Sequence, residues 1–194
     1  DSYPHPRGPM DATFLSSTHC VGIGRRALQQ LRASLERETG AQASQYLQEA
    51  GFAGGGELYD AFGTWLQREY GLDDAADLDD RYLSEVFGRF FREMGWGELT
   101  ATRLADAVLA LDATEWAEAG EPGSSEYPSC HVTCGMLAEF LGRLSGQVTA
   151  VMQVECPSRG DARARFLAGA PETLGIVYDR MTQGMSYGEA LGST

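Results

Sequence analysis

Between Cys130 and Phe166 the chain runs CHVTCGMLAEFLGRLSGQ, then VTAVMQVEC, then PSRGDARARF. The first piece, from Cys130 to Ser145, suits a helix ended by Gly146, with close-packing residues at Gly135, Ala138 and Gly142. In the second, Val148, Ala150, Met152, Val154 and Cys156 alternate with Thr149, Val151, Gln153 and Glu155. That is the period of a half-buried strand. Ser158-Arg159-Gly160-Asp161 is a tight turn, and Arg163 to Ala168 forms a partner strand. A helix that opens on one cysteine, followed by a strand that closes on another, restricts the fold more than any other part of the chain.

The segments before it are helical. Leu28, Leu31 and Leu35 mark a helix over Arg25–Glu38. A second is expected over Ala41–Ala50, stopped by Gly51, and a third over Glu57–Tyr70, with GFAGGGE as the flexible link between them. A phosphate-cradling role for that glycine run is not supported, because no strand precedes it and no Gly-Lys-Ser/Thr follows. The acidic run GLDDAADLDD reads as a surface loop whose Asp79 or Asp80 caps the next helix. That helix, about Arg81–Met94, carries Leu83, Val86, Phe87, Phe90, Phe91 and Met94 at steps of three and four. After Gly95-Trp96-Gly97 the chain turns to strands from Leu99 to Trp116, with a turn near Asp106. Glu118–Pro128 is a loop, and Pro171 opens a last helix with Leu174, Tyr178 and Met181. Helices first and strands second give an α+β fold: N-terminal helices on a small antiparallel sheet, with a helix inserted between strands. Residues 1–17 are expected to be a flexible tail and 18–194 a single domain.

Charge narrows the function classes. The formal net charge is −13 and all 15 basic residues are arginine, a balance that repels nucleic-acid phosphates and anionic membrane surfaces. No apolar run approaches the ~18 residues of a membrane span. Four cysteines are too few for a disulfide scaffold in a chain this long, and no secretory signal is visible, so a cytoplasmic location is expected.

The order of helix, strand, turn and strand resembles the 4-vinyl reductase domain family, whose fold is shared by haem-NO-binding sensors and transport-particle subunits of vesicle traffic. The similarity in layout runs from Thr18 to Leu191 and is sharpest from Cys130 to Phe166. The resemblance implies a zinc ion held by a Cys opening the helix, a Glu and a Cys ending the strand, and a Cys before Arg-Phe. Here Cys130 and Cys156 match the first and third positions, while Gln153 and Ala164 stand at the second and fourth. A structural zinc site requires four N, S or O ligands, so the expectation is a degenerate site with well under one zinc per chain. Cys134, one helical turn from Cys130, shares its face, whereas His131 is rotated away.

For ligand binding the resemblance points to Phe140 on the helix and Met152 on the strand, flanking an interior pocket. Trp116 stands at the pocket's rim and Cys134 beside it. An aromatic pair and a thioether make a deformable apolar wall for a flat ligand. The plainer alternative for each is core packing, and the same choice applies to Phe90 and Phe91. Glu139, Glu155 and Arg165 read as edge ion pairs, and His19-Cys20 as a weak nucleophile–base pair.

The leading expectation is non-catalytic binding of a small hydrophobic or aromatic molecule by a sensor or carrier, homodimeric through its N-terminal helices. Tetrapyrrole work is an alternative, with His131, His19 or a cysteine as axial haem ligand. A protein–protein adaptor is another. No dinucleotide, iron–sulfur or flavin motif is present, which weighs against autonomous reductase activity.

Overall fold

The computed structural model describes residues 18–105 and 107–192, without the side chain of Asp80. The expected 1–17 tail and the turn residue Asp106 lie outside the described residues. The helices are α1 (Arg25–Thr39), α2 (Gln42–Tyr70), α3 (Leu83–Glu93), α4 (His131–Ser145), α5 (Pro171–Thr182) and α6 (Tyr187–Gly192). The strands are β1 (Thr100–Ala105), β2 (Val108–Ala113), β3 (Ala150–Glu155) and β4 (Ala164–Gly169). They form one antiparallel sheet in the order β1-β2-β4-β3, with α4 inserted between β2 and β3. The α+β reading holds, and α6 is an addition to it.

Period-two alternation sends side chains to two different layers. Leu111, Ala113, Ala164 and Phe166 face α2, α3 and α4 in the larger core, while Val108, Ala110, Val154 and Leu167 face α5 and α6 in a smaller one. The larger core is centred on Phe140. Its ring lies 5.3 Å from Phe62, 5.6 Å from both Phe87 and Phe91, and 6.3 Å from Phe90. Such ring pairs add about 0.5–1.5 kcal/mol each beyond area burial. Phe90 and Phe91 both point inward and are fully buried. Neither is turned toward a partner.

Residues 42–70 contradict the expected break. One 29-residue helix runs straight through GFAGGGE. The glycines are there for closeness. A Cβ on Gly51 would stand 2.0 Å from Val132 O, and one on Gly55 2.7 Å from Met136 O. Across the seam, a Cβ on Gly135 would stand 1.9 Å from Gln48 O. The α2 and α4 backbones touch where these residues lack side chains, and the packing outweighs the intrinsic helix penalty of glycine, about 1 kcal/mol each. The acidic run is also more ordered than a plain loop. It forms short 3-10 turns at Ala75–Asp77 and Asp80–Tyr82, and Asp79 Oδ1 accepts the Arg81 N–H at 2.9 Å, as a cap should.

Candidate functional site

The site is organised by the first turn of α4. Cys130 occupies its N-cap without a side-chain cap bond, so the exposed N–H groups need another acceptor. Glu118 supplies it from the connecting segment. Its Oε1 accepts the Val132 N–H at 2.9 Å, and its Oε2 accepts the Thr133 N–H at 2.8 Å and the Thr133 hydroxyl at 2.6 Å. Thr133 Oγ1 accepts in turn from Trp116 Nε1 at 2.7 Å, which fixes the Trp116 ring. From α1, Arg32 donates to the Glu118 carbonyl and to Ser129. Only 2% of Glu118 is exposed, and this burial pushes its pKa up against the lowering effect of the hydrogen bonds.

Beside this cap the two sequence-distant cysteines meet. Cys130 and Cys156 are free thiols, fully buried and hydrogen-bonded to each other. That contact and burial raise the Cys130 pKa. The Cys130 thiol, with Ser158 and Ser129, lowers that of Cys156. Ser129 Oγ lies 3.7 Å from Cys156 Sγ and donates to Ser158 Oγ at 3.1 Å. Gln153 Oε1 accepts the Cys130 N–H at 2.9 Å, and Ala164 has no donor to offer. This set does not fit a structural zinc: two thiols are bonded to one another, the amide oxygen is committed to backbone, and the fourth position is a methyl group. Among the described residues no group of three His, Cys, Asp or Glu is arranged to hold a metal. Cys134 does not join the pair as a further ligand. It takes a hydrogen bond from the Gln153 backbone N–H, and burial drives its pKa up to about 12.

A groove of about 700 Å³ opens next to this cluster, between the start of α4, the outer edge of β3 and the exposed side of α5. Cys134, Met152, Gln153, Leu174, Tyr178 and His131 are among its lining residues. Burial lowers the pKa of His131, which favours the uncharged ring. The expected four-residue wall is therefore divided. Met152 and Cys134 line this groove, whereas Phe140 and Trp116 belong to the aromatic core, 0% and 3% exposed. The division follows from strand geometry. Met152 shares parity with Ala150 and Val154 and packs on the α5 side of the sheet, so it cannot face Phe140 across one interior pocket. Glu155 and Arg165 are joined through Tyr187, Arg163 and Asp112, and Glu139 pairs with Arg143. Sequence reading missed Glu118 and Tyr178. Glu118 acts 14 residues away from its nearer backbone partner, beyond any local capping motif, whereas the steps from Leu174 to Tyr178 and Met181 were visible but fitted a core stripe equally well.

The architecture, a helical layer and a cysteine-marked helix on a four-stranded sheet with an open groove, defines an α+β ligand-domain class. Residues 111–170 match the model of the 4-vinyl reductase domain, and the chain carries such a domain there. The match takes in β2, α4, β3 and β4. Among solved structures, the phenol-responsive sensory domain of the transcription activator PoxR, crystallised with phenol, superimposes with a TM-score of 0.57. It is 17% identical, with 88% of this chain and 80% of that one covered. Trafficking protein particle complex subunit 3 from Naegleria fowleri, covalently bound to palmitic acid, gives 0.58 at 16% identity, covering 75% and 91%. At these identities the likeness is one of fold. No curated protein sequence matches the chain.

Proposed function

We propose that this protein is a non-catalytic binder of a small hydrophobic or aromatic molecule, a sensor or carrier domain that takes its ligand in the α4–β3–α5 groove. The observation that carries the reading is the groove itself. It is about 700 Å³ and largely apolar, within the roughly 300–1,000 Å³ of small-molecule sites. Met152 and Met181 give it deformable thioether walls and Tyr178 a flat one. Proteins of the same fold hold phenol and palmitic acid, which supports an apolar or aromatic ligand. The exposed Leu31 on α1, with Val21 and Ile23 leading into it, supports a homodimer through the N-terminal helices.

Native mass spectrometry of freshly purified protein tests both parts by giving the mass of any bound molecule and the number of subunits. Titration with naphthalene-sized aromatics should show saturable binding that Met152→Trp blocks while the melting temperature stays within about 2 °C. Binding that survives Met152→Trp unchanged refutes the groove as the site.

A further inference from the structure

One polar atom in the groove wall is unaccounted for. Gln153 is 8% exposed. Its Oε1 is spent on the Cys130 N–H, yet its Nε2 is buried without a hydrogen-bond partner. The Cys130 thiol lies beside the carboxamide, but no bond of ordinary geometry reaches the nitrogen. A buried amide N–H left unmatched opposes folding, and such groups in folded proteins call for an explanation.

Neighbouring groups at this corner are already matched. The Gln153 backbone N–H goes to the Cys134 thiol. The Val154 carbonyl and the Asp161 carboxylate both take bonds from Arg159. No Asp or Glu appears among the described lining residues, and Arg159 is the one with a fixed charge. A cation therefore meets no counter-charge, and an anion meets only an arginine that is already paired. What this corner lacks is a neutral acceptor.

We propose that the carboxamide N–H of Gln153 is the polar anchor of the groove and reads a carbonyl-type oxygen on an otherwise flat, apolar ligand. The site thus takes neutral aromatic ketones, esters or quinone-like molecules in preference to amines, acids or plain hydrocarbons. The aromatic body lies along Met152, Leu174 and Tyr178, and the oxygen points toward the start of α4. This assignment rests on the ligand-binding reading of the same groove.

The test compares 2-acetylnaphthalene with 2-ethylnaphthalene, which match in shape and differ in the acceptor, by calorimetric or fluorescence titration. The wild-type chain should prefer the ketone roughly tenfold, the value of one hydrogen bond to a buried donor. Gln153→Glu keeps the acceptor for the Cys130 N–H and removes the donor, while Gln153→Met removes both. In each the ketone preference should fall to near unity, with hydrocarbon affinity changed less than about threefold. Equal binding of the two probes by wild type, or a preference that persists in the variants, overturns the anchor and leaves the groove standing. Failure of both probes to bind sinks the groove reading and the anchor with it. Gln153→Met that raises the melting temperature without altering the preference makes the carboxamide a structural group only and likewise refutes the proposal.

Discussion

At the level of single residues, similar chemistry has been assigned opposite roles by position. Phe140 and Met152 are both large and apolar, yet one is the centre of a sealed cluster and the other the wall of an open groove. Phe140→Ala should therefore cost about 3–5 kcal/mol, the range for emptying a packed aromatic site, measured by urea denaturation, while affinity for groove ligands stays within a factor of two. Loss of binding at unchanged stability would place a ligand pocket at Phe140 instead. Glu118 makes a prediction of sign. Burial holds its folded-state pKa above the ordinary value, so the fold binds the proton more tightly than the unfolded chain does. Its contribution is complete below the unfolded carboxylate pKa and is lost as pH rises through the folded value. Glu118→Gln mimics the protonated form, so wild type should lose stability relative to this variant between about pH 4 and pH 7. A flat difference over that window would show that the hydrogen bonds from Val132 and Thr133 outweigh burial. The sequence revealed the Cys130–Cys156 pairing through its resemblance, and their contact confirms the alignment of that segment. It could not reveal Glu118, whose role depends on a long loop folding back over the start of a helix.

Between elements, the deciding contact is the seam of α2 with α4, and it is where sequence reading failed. A run of three glycines inside a polar stretch has the composition of a linker, and the helical period on either side does not say whether it is bridged. The missing information was the partner. Gly51 and Gly55 are read correctly only with Gly135 and the backbone of α4 opposite. The two kinds of glycine at this seam separate the explanations. Gly135→Ala, whose new Cβ would collide with backbone at Gln48, should destabilise by several kcal/mol, as overpacking beyond the usual 1–3 kcal/mol does when neither side can move. Gly54 and Gly63 meet nothing within 4 Å, so alanine at either should stabilise by about 0.5–1 kcal/mol through helix propensity. If GFAGGGE were a flexible link, neither group of substitutions would register in thermal denaturation. The hairpin β3–β4, the α4 boundaries and the β1–β2 strands were legible because alternation and turn residues coincide there. Which sheet face Met152 takes was not, because both faces of this sheet are covered.

For the whole molecule, the sheet is the shared wall of two cores, and that arrangement predicts how stability is distributed. β2 and β4 are central and contribute buried side chains to both layers, whereas β3 and β1 are edges and α6 is a six-residue helix. Amide exchange should accordingly be slowest in β2, β4 and the middle of α2 and α4, where opening requires both layers to separate, and fastest in α6 and the outer edge of β1. β3 is the informative case. Its edge is partly blunted, with the Gln153 N–H on the Cys134 thiol and the Val154 carbonyl on Arg159, the kind of protection that keeps an open strand from pairing with other chains. A ligand seated in the groove would cover the rest. Exchange at Val151 and Met152 should thus slow several-fold when 2-acetylnaphthalene is added, with β1 unchanged. Uniform slowing across both edges would indicate global stabilisation by mass action from a ligand bound elsewhere, and protection confined to β1 would move the site to the opposite end of the sheet.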